Sequence, residues 1–273
     1  MASIPFLDTV FHRYMRIPYA LHVKEFQSPK APRATYVLVH GIGNTLHSWD
    51  QLATKLPSDV RVIGVDLLGF GKSPKPDWAK YNAKTQARSL GITLIKMGLL
   101  QRPTIVGHSL GALVAVELAK RYPLLPRRLV LCSPPFYNPE VVTEGIVKSR
   151  DALLRDTYRM VSKYPDRIEK LSPLAVKLGL ANRSLTINKE NVPFYMAALE
   201  SSIINQTSLD DVSRLKLPIT IMYGTLDPFV VGSRISGIKK TQSNVTVKRY
   251  IVGHEIVGGY VQKLARYLTA LQE

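Results

Sequence analysis

A serine stands at the centre of the pentapeptide Gly-His-Ser-Leu-Gly, at positions 107–111. An apolar run ends just before the pentapeptide, and a long apolar helical pattern begins directly after the serine. A serine hydroxyl is a weak nucleophile unless it is held in place beside a base. Glycine-x-serine-x-glycine between a strand and a helix places the hydroxyl on a sharp turn, where a reactant can reach it. Ser109 is therefore predicted to be a nucleophile.

Two further residues could complete such a site, and each follows a predicted strand. Asp227 comes after the apolar run 219–223, and His254 lies between the last predicted strand and the last predicted helix. The carboxyl ends of parallel strands meet at one edge of a sheet, so both side chains are expected to converge on Ser109. The interval of 27 residues (254 − 227) leaves room for one helix and one strand.

Other residues of the same types have simpler interpretations. His108 fills the variable position before the serine, and a structural role is predicted for it. His40 is predicted to support its own loop. Ser109 could instead be a helix N-cap, and Asp227, before a proline, could be a turn residue. Three acids are rivals of Asp227 but are less well placed after a strand; they are Asp210, Asp211 and Glu255.

The chain around these residues alternates between short apolar runs and helical patterns. The apolar runs are nearly continuous, as in strands that are covered on both faces of a parallel sheet. They lie at 36–39, 61–65, 104–106, 129–132, 219–223 and 245–252. The helical patterns lie at 46–56, 85–98, 110–121, 231–240 and 257–271. The alternation predicts an α/β fold with a mostly parallel, doubly wound sheet, and residues 17–26 could add an antiparallel edge hairpin.

One interval breaks the alternation and is too long for a single crossover helix. Residues 136–207 are predicted to be a helical cap insertion, with helices near 139–163, 173–181 and 189–205, and the core is predicted to comprise 1–135 and 208–273. The aromatic and apolar residues of this insertion could line a pocket or form the cap's own core. They include Phe136, Tyr137, Phe194, Tyr195, Met196 and Leu199.

Two more motifs give the chain a family likeness. His-Gly-Ile-Gly at 40–43 follows a strand, and Asp-Leu-Leu-Gly-Phe-Gly-Lys-Ser at 66–73 follows the next strand. With the serine pentapeptide and the order Ser…Asp…His, the chain resembles the α/β-hydrolase superfamily over nearly its whole length, in its serine esterase and C–C hydrolase-like branch. The resemblance implies an α/β-hydrolase fold with its site at the carboxyl ends of the strands.

The resemblance also implies a role for each candidate residue. His254 would take the proton of Ser109 as general base, and Asp227 would orient the imidazole and stabilise its cationic form. The backbone amides of Ile42 and Leu110 would form the oxyanion hole, where a single donor is typically worth about 10²–10³ in rate.

Serine at the elbow favours acyl transfer, whereas family members with aspartate there open halides or epoxides. The leading interpretation is a carboxylesterase that acts on small or medium apolar acyl esters, with a small-molecule acyl substrate as its partner. One alternative is hydrolysis of C–C bonds in ring-cleavage products, or a cofactor-free peroxidase-like activity. Another is a non-enzymatic ligand receptor built on the same fold.

The composition of the chain limits the classes of binding partner that can be expected. The chain has 273 residues with 45% apolar content, as in ordinary globular proteins. Its formal net charge is +17, yet the basic residues are spread along the chain without a nucleic-acid motif. The charge is interpreted as a solvated surface, with a membrane surface as the alternative and no nucleic-acid partner. A single cysteine, Cys132, and the lack of a signal-like or membrane-spanning segment predict a cytoplasmic protein.

No cofactor or metal is predicted. Gly-Lys-Ser at 71–73 resembles the end of a phosphate-binding loop, but Asp66 occupies the earlier glycine position. The pair Gly41 and Gly43 could open a dinucleotide-binding turn with Asp66 as the ribose acid, but Leu46 takes the third glycine position. No group of residues has metal-ligand spacing along the chain. Cys132 is interpreted as a buried strand residue.

Overall fold

The computed structural model describes residues 5–99, 101–136, 182–185, 191–204 and 208–271, together with positions 163–164, 170, 174 and 176–177. Within this part of the chain, seven strands form one sheet in the order β1-β3-β2-β4-β5-β6-β7. Strands β2 to β7 run parallel, and β1 pairs antiparallel with β3. The strands are β1 Val23–Gln27, β2 Thr35–Val39, β3 Arg61–Val65, β4 Thr104–His108, β5 Arg128–Cys132, β6 Ile219–Gly224 and β7 Val245–Tyr250.

Helices connect the strands and cover both faces of the sheet. The α-helices are α1 Pro5–Asp8, α2 Asp50–Ala53, α3 Ala83–Lys96, α4 Leu110–Arg121, α5 Val192–Ala198, α6 Ser208–Arg214, α7 Gly232–Thr241 and α8 Gly259–Ala270. A 3-10 turn, Leu46–Trp49, precedes α2, and π-helical segments continue α1 and α5 over Thr9–Tyr14 and Leu199–Ile204. Among the described residues, no helix combines the length and the apolar character that crossing a bilayer requires.

The central strands and the helix after β4 form the middle of the core. All five residues of β2 are buried, whereas only Val245 is buried in β7 at the sheet edge. Helix α4 buries nine of its twelve residues, which the sequence predicted from its apolar character on all sides. Separate clusters of apolar side chains cover the two faces of the sheet. The α/β-hydrolase fold, with its mostly parallel doubly wound sheet, is therefore confirmed.

The predicted edge hairpin at 17–26 is wrong, because only one strand, β1, forms there. The residues before it give their backbone donors to side chains of the core. Leu21 donates its amide to Oγ1 of Thr93 at 2.8 Å, and His22 donates to Oγ of Ser73 at 2.9 Å. These amides are therefore not available for the backbone hydrogen bonds that a second strand of a hairpin would need.

Part of the predicted cap lies outside the described residues, including Tyr137 and most of the helices predicted at 139–163 and 173–181. The helix predicted at 189–205 is present as α5 and the π-helical segment that follows it. Two of its serines attach it to the loop before α3, where Ser201 Oγ donates to the Lys80 carbonyl at 2.8 Å and Ser202 Oγ to that of Tyr81 at 3.1 Å. The boundaries 136 and 207 stay a prediction.

Candidate active site

Ser109 lies at a sharp turn between β4 and α4, with φ 50° and ψ −115°. A positive φ is uncommon for a residue that carries a side chain, and such strain is held only where the surroundings enforce it. The flanking glycines allow this turn because a Cβ on Gly107 would lie 2.3 Å from the Gly111 carbonyl oxygen. A Cβ on Gly111 would lie 2.2 Å from the carbonyl oxygen of Val39 in β2. The sequence pattern therefore corresponds to an elbow that excludes larger residues at both positions.

Asp227 and His254 come together at the carboxyl ends of β6 and β7. His254 Nδ1 lies 2.8 Å from Asp227 Oδ2, and the Phe229 amide donates to Asp227 Oδ1 at 2.9 Å. The carboxylate accepts the ring hydrogen, so Nδ1 carries the proton and Nε2 keeps its lone pair. Asp227 is fully buried. The imidazole is thus set as a base at its outer nitrogen.

The charges of this pair stabilise each other despite burial. Desolvation favours the neutral carboxyl of Asp227, but the charge and hydrogen bond of His254 outweigh it and hold the pKa of Asp227 below its usual value. Desolvation disfavours the charged ring of His254, yet the charge and hydrogen bond of Asp227, with the charge of Glu255, raise its pKa above 6.5. A base with a pKa near the working pH is suited to proton transfer.

His108 connects the elbow to the loop that carries His254. Its Nε2 lies 3.0 Å from the His254 carbonyl oxygen, and the two rings are 5.1 Å apart. Because a carbonyl only accepts, Nε2 of His108 must be the donor. Burial lowers the pKa of His108, which favours the neutral ring. The structural role predicted for His108 is confirmed, because its hydrogen bond holds the His254 loop next to the elbow.

The loop after β2 lies directly against the elbow. A Cβ on Gly41 would be 2.9 Å from His108 Nδ1 and 3.2 Å from Ser109 Cβ, so Ile42 begins its turn next to the serine. Leu110 is the first residue of α4, where an amide has no partner within its own helix. The two amides predicted to form an oxyanion hole therefore lie on the two segments that adjoin Ser109.

His40 supports this loop, as predicted. Its Nδ1 donates to the Gly41 carbonyl at 2.7 Å, and its Nε2 accepts from the Leu67 amide at 2.9 Å. Both bonds require the neutral ring, and burial lowers the pKa of His40 to about 4. The side chain is fully buried. Its role is to join the loops after β2 and β3.

A polar network that sequence spacing did not indicate borders His254. Glu255 accepts from Asn44 Nδ2 at 3.5 Å, and Asn44 Oδ1 accepts from Ser184 Oγ at 2.9 Å. Burial and the charge of Glu255 raise the pKa of Tyr195 to about 12. These residues are up to 211 positions apart, and no local pattern in the sequence relates them. Glu255 is therefore part of the surroundings of the site, although Asp227 holds the imidazole.

The folded chain also gathers donors with metal-ligand proximity, which sequence spacing could not show. Ligand atoms of His108, His254 and Glu255 all lie within 4.8 Å of one another. One nitrogen of each ring already has a partner in the protein. Nδ1 of His254 lies against Asp227, and Nε2 of His108 donates to the His254 carbonyl.

Two other candidates have structural explanations. Asp66 Oδ1 accepts from the Leu46 amide at 2.7 Å, and Oδ2 accepts from the Lys72 amide at 2.9 Å, so the carboxylate joins the 3-10 turn after β2 to its own loop after β3. These bonds account for the near matches to phosphate- and ribose-binding motifs. Cys132 is fully buried in β5, and burial raises the pKa of its thiol to about 12, as expected for a packed strand residue.

Comparison with known proteins agrees with this architecture. The family described as "alpha/beta hydrolase fold" matches residues 36–169. The "Probable lysophospholipase BODYGUARD 4" of Arabidopsis thaliana is 32% identical over 130 residues, which are 47% of this chain and 31% of that protein. "Lipase 1" of Psychrobacter immobilis is 28% identical over 218 residues, 75% of this chain and 65% of that protein. The chain covers less than a third of the length of the first three curated relatives.

A solved structure extends the likeness to almost the whole chain. The enol-lactonase from Burkholderia xenovorans LB400 has a TM-score of 0.70 and 19% identity, and the match covers 93% of this chain and 96% of the other. At this identity the likeness concerns the fold. The matched family model, the strand order and the shared architecture agree, and the chain therefore has the α/β-hydrolase fold.

Proposed function

We propose that this chain is a serine hydrolase of carboxylic esters that works through an acyl-enzyme on Ser109. The observation that carries the proposal is the strained backbone of Ser109 at the elbow, beside the loops after β6 and β7, whose residues Asp227 and His254 are paired at 2.8 Å. A strained residue next to a buried acid–imidazole pair is the arrangement that activates a hydroxyl. Relatives named as a lipase and as a probable lysophospholipase support an ester as the substrate.

Acylation starts with proton transfer. His254 Nε2 takes the proton of Ser109 as Oγ forms a bond to the ester carbonyl carbon, and the carbonyl π electrons move to oxygen. The amides of Ile42 and Leu110 stabilise that oxyanion, and Asp227 stabilises the imidazolium. When the tetrahedral intermediate collapses, the C–O bond to the alcohol breaks and His254 donates its proton to the leaving oxygen.

Deacylation repeats the sequence with water. His254 takes a proton from water, the hydroxide oxygen attacks the acyl carbon, and the same two amides stabilise the second oxyanion. The bond from the carbonyl carbon to Ser109 Oγ then breaks, and Oγ regains the proton from His254. The products are a carboxylic acid and an alcohol, and no cofactor enters the balance.

We propose small or medium apolar acyl groups as the substrates. A Cβ on Gly43, in the loop that carries Ile42, would lie 2.9 Å from Leu185 and 3.0 Å from Tyr195, both in the predicted cap. Apolar and aromatic side chains therefore adjoin the proposed oxyanion hole. The carboxylate of Glu255 is close to His254 and disfavours acyl groups that carry their own negative charge.

The test is a series of nitrophenyl esters from acetate through butyrate and octanoate to palmitate. We expect kcat/KM to be highest at butyrate or octanoate and to fall by at least about 10³-fold in Ser109→Ala. Ser236→Ala, on the exposed face of α7, is the matched control and should retain wild-type rates. Wild-type rates in Ser109→Ala would overturn the proposal. Turnover of dienoates far above that of every ester would instead favour a C–C hydrolase.

A further inference from the structure

The N-terminal segment carries an unusual concentration of exposed apolar side chains. Among the described residues, eleven large apolar or aromatic side chains are markedly exposed, and five of them fall between positions 7 and 17. Their exposed fractions range from 41% to 72%. Contiguous exposed apolar surface on a folded protein usually marks an interaction site. This N-terminal patch consists of Leu7, Phe11, Tyr14, Met15 and Ile17.

Two polar side chains of the same segment, Asp8 and His12, contact the protein, while the apolar side chains of the patch stay exposed. Tyr19, which is buried, donates its hydroxyl to Asp8 Oδ2 at 2.7 Å, and its ring stacks on His12 at 3.6 Å. His12 Nδ1 lies 2.7 Å from the Ile17 carbonyl oxygen. An ordinary surface helix buries its apolar face and exposes its polar face. In this segment, by contrast, the anchoring contacts of Asp8 and His12 with Tyr19 leave five large apolar side chains exposed.

A basic cavity of about 400 Å³ opens beside the patch. The described residues that line it include four permanent cations from three parts of the chain, and none of these lining residues is Asp or Glu. Arg88 of α3 donates to the Arg16 carbonyl at 2.8 Å, which holds two of these segments together. The nearest acid in the anchoring contacts, Asp8, is already bonded to Tyr19. The cations are Arg13, Arg16, Lys80 and Arg88.

We propose that the N-terminal patch and the basic cavity together dock this protein on a bilayer that contains anionic phospholipids. The apolar side chains of the patch would enter the boundary between head groups and acyl chains, and the cations would bind lipid phosphates. A surface that is apolar and cationic at once is complementary to that boundary, whereas a soluble anion would use the cavity alone. Each cation near an anionic membrane raises affinity on the order of fivefold.

The docking surface adjoins the predicted cap. Lys80 lines the cavity, and its carbonyl accepts the hydrogen bond from Ser201 of the helical segment after α5. Leu68, in the loop after β3, also lines the cavity. Docking would therefore bring the cap side of the protein towards the lipid. Binding itself requires no catalysis, so it can be measured independently of the proposed hydrolase activity.

The experiment is co-sedimentation with vesicles of phosphatidylcholine alone or mixed with phosphatidylglycerol. We expect binding to the mixed vesicles, and a loss of at least about tenfold in affinity for Arg13→Glu/Arg16→Glu, as the charge of two cations is reversed. Lys239→Glu/Lys240→Glu, on exposed positions of α7, changes the net charge equally and should bind like the wild type. Equal losses in both pairs would overturn the proposal, because net charge alone would then explain binding.

A second pair tests the apolar part. Phe11→Ser/Met15→Ser leaves every charge in place and should also weaken binding to mixed vesicles, with thermal unfolding unchanged because both side chains are exposed. Two results would overturn docking on a bilayer. One is binding of inorganic phosphate to the wild type without binding to vesicles, which would make the cavity a site for a soluble anion. The other is self-association that these serines abolish, without vesicle binding, which would make the patch an interface between copies.

Discussion

Gly111 is the position at which the elbow should tolerate change least. A Cβ there would lie 2.2 Å from the Val39 carbonyl oxygen and 2.7 Å from that of His40. Ordinary van der Waals contact begins at 3.4 Å, so β2 and α4 would have to separate by 1.2 Å (3.4 − 2.2). Both clashing atoms belong to the backbone, and no side-chain rotation can relieve the overlap.

We expect Gly111→Ala to lower the free energy of unfolding by about 3 kcal/mol, at the upper end of the usual cost of overpacking. For a chain of this size the melting temperature should fall by about 6–12 °C. Ester hydrolysis should fall as well, because Val39 and His40 lead directly into the loop that carries Ile42.

The matched control is Gly237→Ala in α7. No heavy atom of the described residues lies within 4 Å of a Cβ at Gly237, and alanine in a helix interior should raise stability by about 0.5–1 kcal/mol. Urea unfolding followed by circular dichroism compares the two variants with the wild type. If Gly111→Ala unfolds at the same urea concentration as Gly237→Ala and hydrolyses esters normally, the inferred close approach of α4 to β2 is wrong.

Three further predictions concern the site and its surroundings. Asp227→Asn should lower kcat by about 10³–10⁴-fold with little change in KM, because the imidazole loses its orienting charge; a loss under tenfold in steady-state assays would contradict that role. Because Asp227 and Glu255 raise the pKa of His254 above 6.5 and the neutral ring is the base, kcat/KM should rise with pH through a midpoint above 6.5. Glu255→Gln should move that midpoint to lower pH, and an upward or absent shift would exclude an electrostatic effect of Glu255. Cys132 should react with a thiol reagent only after unfolding, since it is fully buried with a pKa of about 12, and fast labelling of the folded protein would contradict that burial.

The parts of the fold that local pattern determines were predictable. Continuous apolar runs indicated β2 to β7, and the glycines around Ser109 indicated a turn that only small residues allow. The order of Asp227 and His254 along the chain indicated that both lie at one edge of the sheet, and their 2.8 Å contact agrees with that expectation. Each of these features depends on residues close together in sequence or on a general rule of parallel sheets.

Features that depend on distant pairs could not be predicted. The contact between His108 and the His254 carbonyl joins residues 146 positions apart, and Asn44 reaches Glu255 across 211 positions. The hairpin prediction failed for the same reason, because Thr93 supplies the acceptor for the Leu21 amide from helix α3. Likewise, the basic cavity collects cations from three separate segments, which looked like an even spread of charge along the sequence.

Labelling of the folded protein with a fluorophosphonate, followed by peptide mass spectrometry, tests the central claim most directly. We predict one adduct on Ser109 that is absent in Ser109→Ala and formed far more slowly in His254→Ala, because the hydroxyl is then without its base. Sustained ester turnover by the unlabelled enzyme should accompany it, whereas labelling without turnover would indicate a ligand receptor. No adduct at high probe excess, or an adduct on another residue, would contradict the assignment of Ser109 as the nucleophile.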